Sequence, residues 1–301
     1  MGYILALCLA LCWGTAPLST KNIVSALPPV WGTFYRVLAG LVFFAVLYAV
    51  QRKSLKIPLS KLWKPALLGF TLILFPFAAL SWGQQFVAPT VGGIFYGTVP
   101  IWSFIAAGIF LGGEDRFTLR RTIGVIFGLI GMWTIMWPMV SAGAQSLGNS
   151  PKAIFGCAAF ILMTWSLGMG GVLIKKIMVD ERAITPQANT FYQYLISAVI
   201  LLAAACVCET APAPAAFSAK VTVSILAAGV LSSAVAFLLM VALVRRWGAT
   251  RMAAVAYLSP VVAMAGDFIT AGRIPSGPEA GGLLLIFASL FLIQKKVSAK
   301  N

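Results

Sequence analysis

Long apolar stretches, separated by short polar segments, run through the whole chain. Most are close to the roughly 20 residues that a helix needs to cross the hydrocarbon core of a bilayer. The apolar runs and the residues that interrupt them predict ten spans, at residues 2–20, 30–50, 65–84, 91–111, 122–140, 153–174, 186–208, 222–243, 252–271 and 280–294. The predicted fold class is therefore an all-α integral membrane protein with ten transmembrane helices.

The positions of the basic residues agree with this division into spans. Most of the 22 Lys and Arg residues lie in the loops after spans two, four, six and eight and in the segment after span ten. Because cytoplasmic loops are rich in Lys and Arg, we expect a multi-pass protein of the plasma (inner) membrane with both termini in the cytoplasm. The first apolar run has no basic segment before it and no clear cleavage site after it, which favours a helix over a signal peptide.

Composition excludes most soluble functions. Only 10% of the residues are charged and 60% are hydrophobic, whereas about a quarter of a soluble domain is charged. The net charge of +15 could suggest nucleic acid, but that partner requires a basic face on a soluble fold. The basic residues here occur in short clusters between apolar runs, so nucleic acid is not an expected partner.

The residue types needed for several kinds of chemistry are scarce. The chain contains no His, and its five Cys residues have no metal-ligand spacing. It also lacks the P-loop pattern of proteins that hydrolyse ATP. We therefore expect no metal, no cofactor and no enzyme activity, since membrane-embedded enzymes gather acid–base and nucleophilic groups at one depth. A channel would favour charged rings or filter-like loops, and a structural scaffold is a further alternative.

The two halves of the chain share short motifs in the same order. Thr33–Arg36 in span two matches Thr190–Gln193 in span seven, since both read Thr-Phe-Tyr followed by a polar residue. Each half holds five spans, an odd number, so the second half must enter the membrane from the opposite side. The sequence therefore predicts two inverted-topology five-helix repeats, residues 1–145 and 146–301, as in many secondary transporters.

Several of these motifs also resemble a known family. Trp13-Gly14 in span one, Arg36 in span two, Pro100 in span four and Gly113-Glu114 at its end look like the EamA type of the drug/metabolite transporter superfamily. The resemblance covers essentially the whole chain in two copies, although the second has Gly272-Arg273 where a Gly-Glu pair would be expected. It implies a ten-helix exporter of amino acids or other metabolites with a central cavity. The chain most resembles the aromatic amino-acid exporters.

The candidate solute site is expected near the midplane, where broken helices of two repeats meet. Pro100 and Pro260 occupy corresponding positions in spans four and nine and are candidates for such breaks and for gating, although prolines are common in membrane helices. The candidate substrate-binding residues are aromatic or polar side chains at this depth: Trp13, Phe77, Ser81, Tyr96, Trp165, Asn189, Gln193 and Tyr257.

Two of these sets have a specific rationale. Trp13 and Trp165 lie deeper in their spans than an interfacial aromatic belt, so they could flank an apolar or aromatic solute. Asn189 and Gln193 share one face of span seven with Ser197, because residues four apart on a helix lie one above the other. For both sets, packing between helices remains the alternative.

Two charges are placed inside spans. Arg36 lies in span two and Asp267 in span nine. A charge at the centre of a bilayer costs about 2.5–3.5 kcal/mol on insertion scales, so each residue needs a partner or water. The two residues are candidates for a pair that closes a gate or braces two helices.

The expected function is export of small metabolites, amino acids first among them, by alternating access around a central cavity. Obligatory proton coupling is not expected, because it usually uses buried carboxylates or histidines and Asp267 is the only acid within a span. Proton-coupled export of drugs, cations or another metabolite is the alternative. The expected partners are the solute and the lipid bilayer, and the chain is expected to work as a monomer.

Overall fold

The computed structural model describes residues 2–87, 92, 95–111, 118–147, 151–180, 184–259, 261–262 and 276–294. For residues 138–147, 151 and 180 it describes the backbone alone. Within these ranges the secondary structure is helical, with helices α1 (Gly2–Val24), α2 (Pro29–Val50), α3 (Leu59–Gly83), α4 (Val99–Phe110), α5 (Leu119–Leu147), α6 (Lys152–Val179), α7 (Pro186–Cys208), α8 (Ala219–Trp247), α9 (Ala249–Ala253) and α10 (Gly277–Gln294).

This architecture confirms the predicted fold class. Among the described residues, eight helices are long and apolar enough to cross a membrane, and the apolar helix α4 is shorter. Helix α9 is short and continues in a 3-10 turn at Ala254–Tyr257. The rest of the ninth predicted span lies largely outside the described residues. The protein is therefore a multi-pass membrane protein, and ten spans agree with the helices that the structure describes.

Proline and hydroxyl side chains mark the starts of several helices. Pro29 and Pro186 lie at the first position of α2 and α7, where the missing N–H of proline costs nothing. The Thr185 hydroxyl accepts a hydrogen bond from Ala188 N and caps α7. Pro100 lies in the first turn of α4, directly after a turn at 97–98. It therefore begins a helix at a break in span four and does not bend a continuous helix.

Several contacts between helices recur when the two halves are exchanged. Helix α2 packs on its counterpart α7, and α5 packs on its counterpart α10. Helix α3 packs on α6 and α7, as its counterpart α8 packs on α1 and α2. Helix α4 packs on α6, as the turn after α9 packs on α1. These contacts bring α1, α3 and α4 close to α6, α8 and α9.

Helices α2 and α8 cross at a close approach beside the site. A Cβ atom added to Gly229 of α8 would collide with the backbone oxygen of Arg36 and lie 2.7 Å from the Cβ of Ala39. On the other side of the crossing, a Cβ added to Gly40 would lie 3.1 Å from Gly229 O. Small residues let membrane helices approach in this way, and here they hold the backbone of Arg36 against α8.

Candidate functional site

A cavity lies between the two halves, at the centre of the helix contacts described above. The empty space within its outline, open solvent included, is about 660 Å³. Side chains from α1, α3, α4 and the segment before α4 line it from the first half, and side chains from α6, α7, α8 and α9 line it from the second. The lining residues are Trp13, Leu72, Ile73, Phe77, Tyr96, Val99, Ser103, Leu167, Gly171, Tyr194, Ser232, Ser233, Ala236, Phe237, Met240, Met252 and Ala253.

Irregular helix turns bring several of these residues to the cavity. Helix α3 is π-helical at Phe70–Leu74, and its counterpart α8 is π-helical at Ala227–Val235. The cavity residues Leu72 and Ile73 come from the first of these segments, and Ser232 and Ser233 come from the second. π-Helical turns occur frequently at functional sites, and these two lie at corresponding places in the two halves.

A break in α1 also faces the cavity. The helix is interrupted at Thr15, between segments Gly2–Gly14 and Ala16–Val24. The Thr15 hydroxyl donates to the backbone oxygen of Cys12 and lies 3.0 Å from the hydroxyl of Ser232 in α8. Trp13 is next to this break and lines the cavity. The break thus joins α1 to the π-helical segment of the other half.

The wall of the cavity is apolar and aromatic, with a few hydroxyl groups. Three serines are the polar lining residues besides the aromatic ones, and the aromatic rings come from Trp13, Phe77, Tyr96, Tyr194 and Phe237. Small-molecule sites commonly combine an apolar lining with a small number of placed polar groups. The centre of a water molecule can occupy only about 50 Å³ of this space, so the cavity must widen before it can hold a solute as large as an aromatic amino acid.

Three of the sequence-predicted binding residues line this cavity, namely Trp13, Phe77 and Tyr96. Ser81 is buried close by but does not line it. The hydroxyl of Thr33 donates to the hydroxyl of Ser81 over 2.8 Å. This pair connects α2 with α3, so the structure gives Ser81 a packing contact.

Trp165 lies away from the cavity. It is 48% exposed, and the side chains on either side of it point into the protein. The Thr98 hydroxyl donates to that of Thr164 over 2.9 Å, and Ser166 donates to the backbone oxygen of Thr71 over the same distance. This rotation of α6 turns Trp165 outward, and Leu167 and Gly171 are the residues through which α6 lines the cavity.

Asn189 and Gln193 form a buried pair between helices, outside the cavity lining. The Gln193 amide donates to Asn189 Oδ1 over 2.6 Å. A Cβ added to Gly69 of α3 would lie 2.9 Å from Gln193 O, so α3 and α7 are in close contact here. Asn189 Nδ2 and Gln193 Oε1 have no hydrogen-bond partner in the described part of the chain. The arrangement fits the alternative of packing between helices.

Tyr257 is fully buried at the contact between α5 and the turn after α9. Its hydroxyl donates to the backbone oxygen of Val125 over 3.1 Å, and its ring lies against Gly128. It does not line the cavity, unlike Met252 and Ala253 of the same segment. The other two predicted residues of span nine, Pro260 and Asp267, lie outside the described residues.

Arg36 is buried beside the cavity, with 1% of its surface exposed. Its Nε donates to the Ser233 hydroxyl over 3.0 Å, and its Nη1 donates to the Thr20 hydroxyl over 3.2 Å. The guanidinium carbon lies 3.8 Å from the centre of the Phe77 ring, which is the geometry of a cation–π contact. The side chain therefore connects α1, α2 and α3 of the first half to α8 of the second.

Four hydroxyl-bearing residues of the cavity lining were not predicted from the sequence, namely Ser103, Tyr194, Ser232 and Ser233. Adjacent serines in the middle of a long apolar span were a usable signal for the last two, because paired hydroxyls in a membrane helix need partners. No comparable signal marks Ser103 or Tyr194.

The comparison with protein families gives the class of this chain. The model of the EamA-like transporter family matches it twice, over residues 1–137 and 154–294. The chain belongs to this family, and the two matches correspond closely to the two predicted halves. The resemblance of the sequence to the EamA type is thereby confirmed, and this family points to a membrane transporter and not to an enzyme.

Individual relatives are distant. Protein PagO of Salmonella typhimurium is 23% identical over 147 residues, which are 48% of this chain and 46% of PagO. The inner membrane transporter YhbE of Escherichia coli, uncharacterized by its name, is 25% identical over 135 residues, which are 44% of this chain and 41% of YhbE. The matched part of this chain therefore spans less than half the length of each relative.

A crystal structure of another protein superposes on this chain with a TM-score of 0.72 and 19% sequence identity. The superposition covers 97% of this chain and 96% of the chain in that structure. That likeness shows that the two proteins share a fold.

Proposed function

We propose that this protein is a secondary transporter that exports small metabolites, with amino acids as the leading class, by alternating access. The observation that carries the proposal is the cavity between the two halves, to which both contribute aromatic and hydroxyl-bearing side chains. In transporters built from two repeats, the solute site lies at the repeat interface, and one repeat rocks against the other around it. The helix contacts that recur between the halves, and the two separate family matches, support an architecture of this kind.

Closure on one side is part of the same proposal. The Lys21 ammonium donates to the backbone oxygen of Gln84 over 2.7 Å, and the Asn22 amide donates to the Ser224 hydroxyl over 3.2 Å. These bonds tie the end of α1 to the end of α3 and to α8 of the other half. With both termini in the cytoplasm, as the basic loops favour, this end faces outward. Export then requires the Asn22–Ser224 contact between the halves to break while the opposite end closes.

We propose an inner-membrane location and facilitated, downhill transport by a monomer, without obligatory proton coupling. In the described part of the chain, no carboxylate lines the cavity, and proton-coupled carriers usually place one at the site. The alternative is a proton-coupled exporter of drugs or cations. The buried guanidinium beside the cavity disfavours a cationic solute, because like charges repel strongly in a medium of low dielectric constant.

The test is flux of a labelled amino acid in proteoliposomes containing the purified protein. We expect saturable transport with and without a pH gradient, and competition by other amino acids but not by cationic drugs. Protein-free liposomes give the background. Flux that depends strictly on the gradient and is abolished by Asp267→Asn would overturn the uncoupled mechanism. Competition by cationic drugs alone would support the alternative solute class.

A further inference from the structure

The charge of Arg36 is not balanced by the side chains that hold it. Its two hydrogen-bond acceptors are the hydroxyl groups of Thr20 and Ser233, and its third contact is the ring of Phe77. These groups are neutral and solvate the guanidinium without neutralising it. A buried ionised side chain normally has a partner of opposite charge, and none of the contacts made by the described residues supplies one.

The neighbouring ionisable groups do not change this balance. Tyr96 and Tyr194, the two phenols close enough to interact electrostatically with the guanidinium, both line the cavity. Phenols are uncharged at neutral pH. The surroundings of the cation within the described residues are therefore aromatic rings and hydroxyl groups.

The guanidinium retains hydrogen-bonding capacity. An arginine side chain has five N–H donors, of which Nη2 carries two. The hydrogen bonds of Arg36 use Nε and Nη1, and Nη2 has no partner among the described residues. A planar group with free donors is suited to a carboxylate, which it can bind through two parallel hydrogen bonds.

The position of Arg36 makes these donors reachable from the cavity. Phe77 and Ser233 both contact the guanidinium and both line the cavity, so the cation lies directly behind this part of the wall. The cavity must widen to admit a solute, and a shift of the Phe77 ring would bring the solute to the guanidinium. The backbone of Arg36 is held against α8 at Gly229, so an ion pair formed there would act on both halves.

We propose that the guanidinium of Arg36 binds the carboxylate group of the transported solute. This inference rests on the proposed function and deepens it, because it makes the carboxylate the required part of the solute and assigns the aromatic wall to the solute's apolar part. It also assigns Arg36 a binding role in place of the predicted gate or brace with Asp267.

The first experiment uses the wild-type protein and chemically matched competitors. Uptake of labelled phenylalanine into proteoliposomes is measured against unlabelled phenylalanine, 3-phenylpropionate, phenylalanine amide and phenethylamine. We expect the two carboxylates to compete about tenfold or more better than the amide and the amine, because removing one member of a buried charge pair typically has at least this effect. Equal competition by acid and amide would overturn the inference.

The second experiment uses variants of Arg36 and a matched buried arginine. Arg36→Gln should remove the preference for acid over amide, and Arg36→Lys should keep part of it because the charge remains. Arg251 is also buried, at α9 and outside the cavity lining, so Arg251→Gln should leave the preference unchanged. An Arg36→Gln protein that folds and still prefers the acid as the wild type does would contradict the proposal. If that variant does not fold, the wild-type competition decides alone.

A binding measurement separates this inference from the proposed function. The thermal stability of the detergent-purified protein is measured with 3-phenylpropionate and with its amide. If the acid stabilises the wild type and this stabilisation is lost in Arg36→Gln, the inference is supported even if the protein transports no amino acid. In that case only the proposed amino-acid export would be contradicted. Amino-acid flux without any acid preference would instead preserve the proposed function and remove the role of Arg36.

Discussion

Trp13 and Trp165 provide a matched test of the cavity, because the sequence analysis assigned them the same role and the structure separates them. Trp13 lines the cavity beside the break in α1, whereas Trp165 is 48% exposed on the outer face of α6. Replacing each by alanine removes the same side chain. Only Trp13→Ala should remove a surface that the solute touches.

The expected size of the effect follows from the contact area. A tryptophan side chain presents about 150–250 Å², and a solute in a wall of several aromatic rings would cover roughly 60 Å² of it. At about 25 cal/mol per Å² of apolar surface, losing that contact costs about 1.5 kcal/mol. This corresponds to roughly a tenfold rise in the half-saturation concentration. For Trp165→Ala we expect a change within about twofold, because a side chain facing lipid makes no solute contact.

The assay is the concentration dependence of amino-acid flux in proteoliposomes, with the amount of folded protein measured by size-exclusion chromatography. Both variants must first yield comparable amounts of folded protein, since a difference in yield would be mistaken for a difference in solute affinity. If Trp165→Ala raised the half-saturation concentration as much as Trp13→Ala, or if Trp13→Ala left it unchanged, the assignment of the cavity would be wrong.

Three further predictions test other parts of the structure. Tyr257→Phe should lower the free energy of unfolding by about 0.5–1.5 kcal/mol, because one buried hydrogen bond is lost. We expect a lower melting temperature and normal flux. Impaired solute affinity would argue against a structural role of Tyr257. Gly229→Ala should reduce the folded yield, because the added methyl group would meet the backbone of α2. The control Gly281→Ala, where the added methyl group meets open space, should leave the yield unchanged. Equal yields of the two variants would contradict the tight crossing. Cross-linking Asn22→Cys to Ser224→Cys in a background without other cysteines should block flux until the link is reduced; undiminished flux would show that this end need not open.

The sequence predicted the helices well because the signal for a membrane span is strong. A long apolar run has few alternatives in a bilayer, where every backbone polar group must be satisfied within the segment. Span seven was predicted at 186–208, and α7 has these bounds. Span four was expected to break near Pro100, and the chain turns at 97–98 before α4 begins.

The rotation of each helix was harder to predict. In a soluble helix the polar face identifies the exposed side, but in a membrane helix the lipid-facing side is as apolar as the core. Trp165 is exposed because its neighbours Thr164 and Ser166 face inward. Thr164 is hydrogen-bonded to the segment before α4, and Ser166 is hydrogen-bonded to α3. These partners are distant in sequence, so no local pattern reveals them.

Polar stripes were ambiguous for a related reason. Asn189 and Gln193 share a face, as predicted, but a polar pair can bond to itself across one helical turn. A row of polar residues on one helix face is therefore expected both for a packing contact and for a solute site, and it does not distinguish the two. Arg36 was identified as an unusual charge from its position alone. Its contact with Ser233 depends on the crossing of α2 with α8, and its contact with Thr20 depends on the packing of α1 against α2.

The central claim is that the two halves form a carrier around one solute cavity, and counterflow tests it most directly. Proteoliposomes are loaded with a high concentration of unlabelled amino acid and diluted into a trace of the labelled form. A carrier with one site predicts that the label accumulates transiently above its external concentration, and that Trp13→Ala weakens this accumulation at low solute while Trp165→Ala does not. Label that only equilibrates, at a rate linear in concentration, would contradict the account and indicate a pore.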